Sequence, residues 1–66
     1  MKLLGSIETN KPSHVIQVSN IPSGYSWTII IKSLQEFDTI MDDNTVTIIA
    51  KKGKFFVGDK VEVYGR

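Results

Sequence analysis

The stretch Tyr25-Ser26-Trp27-Thr28-Ile29-Ile30-Ile31-Lys32 decides the fold class of this chain. Six of its eight residues are β-branched or aromatic, and such side chains are typical of β-strands. Successive side chains of a strand point to opposite faces, so every second residue shares a face. One face of this stretch carries only Tyr25, Trp27, Ile29 and Ile31. A wholly apolar face opposite a mainly polar one predicts a strand with one side on a core.

The rest of the chain has the same composition. Its 66 residues include nine Ile, six Val and five Thr, but only three Leu and one Ala. β-Branched side chains are stiff at χ1 and pack well on a pleated surface, whereas strong helix formers are scarce here. A chain of this length forms one domain. The sequence therefore predicts a single, mostly-β domain over residues 1–66.

Five further strands are predicted on either side of this stretch, at Leu3–Glu8, His14–Ser19, Thr45–Lys51, Phe55–Val57 and Lys60–Tyr64. Pro and Gly at residues 20–24 form a turn, which predicts an antiparallel hairpin between the second and third strands. Lys52-Gly53 suits a tight hairpin turn. The predicted architecture is a small antiparallel β-sandwich or barrel of about six short strands.

Residues 33–41 fit two structures. Ser33 and Glu36 have the spacing of a helix capping box. At helical spacing, one face then holds Leu34, Phe37, Ile40 and Met41. The rival structure is a strand from Phe37 to Met41 that turns at Asp42-Asp43-Asn44. We favour one short helix over 33–41, because the cap and the apolar spacing agree.

Three of the predicted strands place one apolar residue on their polar face: Val15, Ile30 and Ile49. Either a helix or a second sheet covers these residues, or they form an exposed patch that docks another subunit. So short a chain buries a small core, and it has no cysteine for a disulfide, so a partner subunit is the remaining means of stabilisation. We predict that the three residues contact another copy of the chain or a larger protein assembly.

Charge is unevenly spread along the chain, and it leaves a second hypothesis open. Residues 34–50 carry a net charge of −4, and residues 51–66 carry +3, which suits self-association. The basic segment contains Lys51, Lys52 and Lys54 beside Phe55. Lysines next to an aromatic side chain are typical of small barrels that bind single-stranded nucleic acid. The acidic segment argues against a surface that follows phosphates, so nucleic acid ranks below protein as a partner.

No motif commits the chain to catalysis or to a cofactor. His14 is the only histidine, and it lies at a predicted strand end without a recognisable nucleophile or acid. Asp42-Asp43-Asn44 lacks the spaced carboxylates and the distal Glu of a calcium loop, so an acidic turn is expected there. Gly53 and Gly58 do not stand between a strand and a helix, as a phosphate loop would require. We expect a non-enzymatic protein with no cofactor, no metal site and no small-molecule substrate.

Two resemblances extend this interpretation. Residues 55–64 contain Val-Gly-Asp-x-Val-x-Val, which resembles a sequence pattern found in many small SH3-like and OB-class barrels that bind RNA or protein. In size, lack of cysteine and richness in Ile, Val and Thr, the chain resembles the short tail-region accessory proteins of tailed bacteriophages. That resemblance implies a viral structural protein of the host cytoplasm or the virion. We expect no membrane association, because the longest apolar run is Ile29-Ile30-Ile31 and a membrane-spanning helix needs about 20 apolar residues.

Overall fold

The computed structural model describes all residues, 1–66, as an all-strand protein. The six strands are β1 (Lys2–Glu8), β2 (Val15–Val18), β3 (Trp27–Lys32), β4 (Phe37–Asp42), β5 (Thr45–Ala50) and β6 (Lys60–Gly65). They form two three-stranded antiparallel sheets, with strand orders β1-β6-β3 and β2-β5-β4. The two sheets pack together around one core. The prediction of a small, mostly-β fold is therefore confirmed.

The core lies between the two central strands. Buried and less buried residues alternate along β5 and β6, as the two-residue period of a strand requires. The buried apolar side chains of these strands are Val46, Ile48, Ala50, Val61 and Val63. Ile16 and Val18 of β2 join them, and Ile21 and Phe55 reach in from loops. All nine side chains are apolar, so the core needs no buried polar partner.

The favoured helix over 33–41 is wrong, and the rival strand is the observed structure. β4 pairs with β5 along its whole length, from Phe37 opposite Ala50 to Asp42 opposite Thr45. The two-residue turn Asp43-Asn44 joins the two strands, and Asp43 has a positive φ of 22°. A hairpin with a continuous ladder satisfies its backbone groups locally, which outweighs the helical spacing of a few apolar side chains.

The side chains that suggested a helix have other roles in the structure. The Ser33 hydroxyl accepts a hydrogen bond from the backbone N–H of Gln35 at 3.1 Å, and it donates one to Oδ2 of Asp59 at 2.8 Å. This local bond closes a short turn between β3 and β4 instead of capping a helix. Leu34, which a helical face would have buried, is 96% exposed.

The strand predicted at Phe55–Val57 is also absent. Phe55 forms only an isolated bridge with Ser13, through backbone bonds of 2.7 and 3.3 Å. Gly58 then adopts a φ of 95° and turns the chain towards β6. The Lys52-Gly53 turn does not join paired strands, because β5 and β6 belong to different sheets.

The predicted hairpin between the second and third strands is wrong as well. β2 pairs with β5, whereas β3 pairs with β6. Residues 19–26 cross from one sheet to the other, and the buried Ile21 anchors the crossing. The backbone N–H of Ile21 donates to the Asn44 carbonyl at 2.9 Å, and the Asn44 amide donates to the Ile21 carbonyl. Burial of Ile21 in the shared core thus takes the place of the local hairpin.

The sandwich is closed along one side and open along the other. On the closed side β1 lies against β2, so closely that a Cβ on Gly5 would lie 3.0 Å from Cγ1 of Val18. The other two edge strands, β3 and β4, therefore lie on the opposite side, where neither has a second strand neighbour. We call this the open side of the molecule.

Candidate interaction surfaces

The structure brings together two of the three predicted interface residues and separates the third. Val15 and Ile49 lie directly opposite each other on β2 and β5, on the outer face of their sheet. Ile30 lies opposite Glu62, on the outer face of the other sheet. Neither a helix nor another sheet covers these residues: Val15 is 44% and Ile30 39% exposed, and Ile49 is half-buried. The three residues therefore belong to two surfaces, not to one patch.

β4 exposes apolar side chains on both of its faces, a surface that is not among the predicted interfaces. Ile40 lies on the outer face, opposite Thr47. Met41 lies opposite the fully buried Val46, on the face that should point to the core, yet it is 63% exposed. The opposing sheet, β1-β6-β3, does not cover Met41, so β4 overhangs the core. Two adjacent apolar residues in a recognised strand would have been the signal for this surface.

The inner face of β3 is incompletely covered for the same reason. Trp27, Ile29 and Ile31 pack against the core but are only half-buried. They lie at the edge of their sheet, across the open side from the overhanging β4. The apolar interior of the sandwich therefore continues to the surface between these two strands.

Unpaired backbone groups line the β3 edge. Ser26 and Arg66 exchange both backbone hydrogen bonds, at 3.3 and 3.1 Å. In an antiparallel ladder such pairs alternate along the strands, so every second residue of β3 directs its N–H and C=O towards β6. The residues between them, which are Trp27, Ile29 and Ile31, direct these groups away from β6 to the open side.

The same alternation applies to β4. The Lys51 N–H donates to the Glu36 carbonyl at 2.9 Å, in register with the β4–β5 ladder. The residues that direct N–H and C=O away from β5 are therefore Phe37, Thr39 and Met41. Each edge of the open side thus presents a row of free donors and acceptors, which is a template for another strand.

The two edges of the open side carry opposite charges. Lys32 lies on the outer face of β3, where its Nζ is 3.7 Å from Oε1 of Glu62. Asp38 and Asp42 lie on the outer face of β4, and Oδ1 of Asp38 is 3.8 Å from Nζ of Lys51. All of these groups except Glu62 are exposed, and exposed ion pairs contribute at most about 1 kcal/mol each. The charges are therefore free to interact with another molecule.

Glu62 also fixes the tyrosine on the outer face of the first sheet. The Tyr64 hydroxyl donates a hydrogen bond to Oε2 of Glu62 at 3.0 Å. This bond raises the pKa of Tyr64 above its usual value, because ionisation would remove the donor; partial desolvation and the negative charge of Glu62 raise it further.

The residues proposed for nucleic-acid contact fall into two groups. Lys51, Lys52 and Lys54 are exposed, but Phe55 is fully buried in the core and has no face free for a base. Its assignment as a contact residue is therefore wrong. The neighbouring Phe56, which is not among the predicted contacts, is 55% exposed. Two consecutive phenylalanines give no sequence signal for which of them points inward.

The remaining polar candidates serve as structural connections. Nδ1 of His14, the residue before β2, lies 3.1 Å from the Gly53 carbonyl and connects the start of β2 to the loop of residues 51–59. Asp43 and Asn44 form the β4–β5 turn. No three acidic or histidine side chains lie together as a metal site would need, and the surface holds no ligand-sized cavity. No helix capable of spanning a membrane is present.

Comparisons with protein-family models, curated proteins and solved structures found no match to this chain.

Proposed function

We propose that this chain is a non-enzymatic structural module that binds protein, and first of all further copies of itself. The observation that carries the proposal is the open side, where an apolar interior and two unpaired strand edges reach the surface together. Exposed apolar surface of this kind marks interaction sites, and long unpaired edges attract further strands. Only 11 of the 66 residues are buried, so a subunit contact would add much to a small core.

The setting that we propose for such a module is a larger assembly, the tail region of a bacteriophage particle. Its support is the resemblance in size and composition to the short accessory proteins of phage tails. Mass spectrometry of particles purified from a phage that encodes this chain would test the setting. Stoichiometric detection of the peptide in washed particles would support it, and detection only in the host lysate would oppose it.

Self-association is tested by measuring the solution mass with light scattering on a sizing column, over a hundredfold range of protein concentration. We expect a mass that is a multiple of 7.4 kDa at high concentration and decreases on dilution. A mass of 7.4 kDa at every concentration would overturn self-association. It would direct attention to a different protein as the partner.

Nucleic-acid binding stays as a second candidate function because of one observation, the exposed Phe56 in the loop that also carries Lys52 and Lys54. Aromatic stacking beside cations is how single-strand binders hold successive bases. Trp27 lies at the far end of β3 from this loop, so the fluorescence anisotropy of a labelled oligonucleotide is the better measurement. Binding at low salt that is lost in Phe56→Ala but kept in Phe55→Leu would favour this candidate over protein binding.

A further inference from the structure

We propose that two copies of the chain join through their open sides, so that β3 of each copy pairs with β4 of the other. This inference rests on the proposed self-association and names the surface that carries it. The β1-β6-β3 sheet of each copy would then continue into the β4-β5-β2 sheet of the other copy, which makes two six-stranded sheets. The dimer would have two identical contacts and no free edge on the open side.

The chain path makes this arrangement symmetric. Only residues 33–36 connect β3 to β4, so β4 returns antiparallel to β3 on the same side of the molecule. A two-fold axis parallel to the strands would exchange the two sheets, and it would set β3 beside β4 of the second copy in antiparallel orientation. The reciprocal contact would form at the same time. Such an interface is isologous and closes after two subunits.

The free backbone groups limit the register of this contact. These groups allow antiparallel registers that differ by steps of two residues. The register we propose sets Lys32, the one charged residue of β3, opposite Asp38 of the second copy. Ile31 would then lie opposite Thr39 of the second copy, and Ile29 opposite Met41. All four direct their N–H and C=O groups away from their own sheets, so each pair could exchange two backbone hydrogen bonds.

The same register sets complementary side chains opposite each other on the outer face. Lys32 would lie opposite Asp38 of the second copy, Ile30 opposite Ile40, and Thr28 opposite Asp42. Opposite charges and apolar pairs stabilise neighbouring strands, whereas like charges destabilise them. The contact would also cover Met41 and Ile40, two of the most exposed apolar side chains of the strands.

Charge opposes the longest antiparallel pairings of β4 with itself. An antiparallel β4–β4 contact centred on Ile40 would put Asp38 opposite Asp42 twice. Centred on Thr39, it would put Glu36 opposite Asp42 twice. Pairing of β3 with itself meets no such repulsion, but it would leave Ile40 and Met41 uncovered and the β4 edge free. Of the three pairings of the open side, only β3 with β4 satisfies the charges and both edges.

Charge reversal provides a test, with the two variants Lys32→Glu and Asp38→Lys. Either variant alone would set like charges opposite each other at both contacts of the dimer. We expect each to weaken dimerisation about tenfold or more, since two unfavourable pairs replace two favourable ones. An equimolar mixture would set opposite charges at both contacts of a mixed dimer. We therefore expect the mixture to regain dimers, measured by light scattering and by native mass spectrometry.

Lys11→Glu is the matched control, since it reverses an exposed lysine in the loop between β1 and β2, the two strands of the closed side, and should leave the mass unchanged. Thr39→Pro is a further variant that removes an outward N–H without touching the β4–β5 ladder, and it should abolish dimers while circular dichroism stays that of a sheet. Recovery in the mixture also shows that both charge variants fold.

The outcomes separate this inference from the proposed function. If the wild-type chain is a monomer at every concentration, self-association and the β3–β4 contact are both overturned, and a different protein is left as the partner of the proposed function. If it associates but the two charge variants and Thr39→Pro associate equally well, self-association stands and the β3–β4 contact is wrong. If the charge variants are monomeric and their mixture stays monomeric, the opposition of Lys32 to Asp38 is wrong.

Discussion

Replacement of Phe55 by Ala should remove most of the stability of this protein, although Phe55 lies outside every strand. Its side chain is fully buried among the core residues of both sheets, and its backbone is held by the bridge to Ser13. It is therefore the main connection between the loop of residues 51–59 and the core. Phe56, the next residue, is 55% exposed and provides a control of the same chemistry.

The magnitude follows from burial and chain length. Truncation of a buried Phe to Ala costs about 3–5 kcal/mol, because the lost transfer free energy is joined by the energy of the cavity left behind. A chain of 66 residues has a free energy of unfolding of about 3–10 kcal/mol in total. Phe55→Ala is therefore expected to bring the folded state close to the limit of stability. Phe55→Leu, which keeps most of the volume, should cost about 1–1.5 kcal/mol.

Urea unfolding followed by circular dichroism would measure these differences at one fixed protein concentration, because self-association adds to apparent stability. The expected order of stability is wild type, Phe56→Ala within about 0.5 kcal/mol of it, Phe55→Leu, and last Phe55→Ala. Equal midpoints for Phe55→Ala and Phe56→Ala would refute the burial of Phe55. They would return residue 55 to the candidates for contact with another molecule.

Three further predictions concern single side chains. Gly65→Ala should destabilise the fold by about 1–3 kcal/mol in thermal melts, because its Cβ would lie 2.6 Å from Leu4 and 2.8 Å from the Tyr25 ring. Gly24→Ala is the control: open space surrounds this position, so its only cost should be the backbone strain of a φ of 88°. In a Tyr25→Phe background, absorbance at 295 nm should titrate Tyr64 with a pKa above 10, and Glu62→Gln should lower that pKa. The stability that the Tyr64–Glu62 hydrogen bond contributes is present at neutral pH and is lost as pH rises through the pKa of Tyr64. Thr9→Val should cost about 1 kcal/mol in urea unfolding, because the buried Thr9 hydroxyl donates its one proton to the Phe56 and Asp59 carbonyls as a shared hydrogen bond. Unchanged stability would mean that the two carbonyls do not need this donor.

The strands with one clear apolar face were predictable from the sequence. The observed β3, β5 and β6 agree with the predicted ranges to within two residues, since alternation of Ile and Val with polar residues determines both the strand and its buried face. Which strands pair with each other was not predictable in the same way. The turn at residues 20–24 looks like a hairpin turn locally, but burial of Ile21 makes it a crossing between sheets, and no local pattern carries that information.

The candidate site was predictable residue by residue but not as a surface. Val15, Ile30 and Ile49 were identified correctly as apolar residues on outward faces. Their grouping depends on which sheet each strand joins, and that choice is made by long-range pairing. The exposed surface of Met41 and Ile40 is not predicted, because the favoured helix over 33–41 includes both residues.

The error over residues 33–41 has a physical cause that bears on the proposed contact. A strand buried on one side shows strict alternation, but β4 carries apolar residues on both faces, so its pattern matches a helix as well as a strand. In the monomer this pattern has no use, since Ile40 and Met41 stay exposed. Apolar residues on both faces of an edge strand fit a strand that lies inside a larger sheet. Conflict between a local pattern and the fold of a single chain is expected at functional positions. A second strand paired with the β4 edge would resolve this conflict. The opposite charges of Lys32 and Asp38 favour β3 of another copy as that strand.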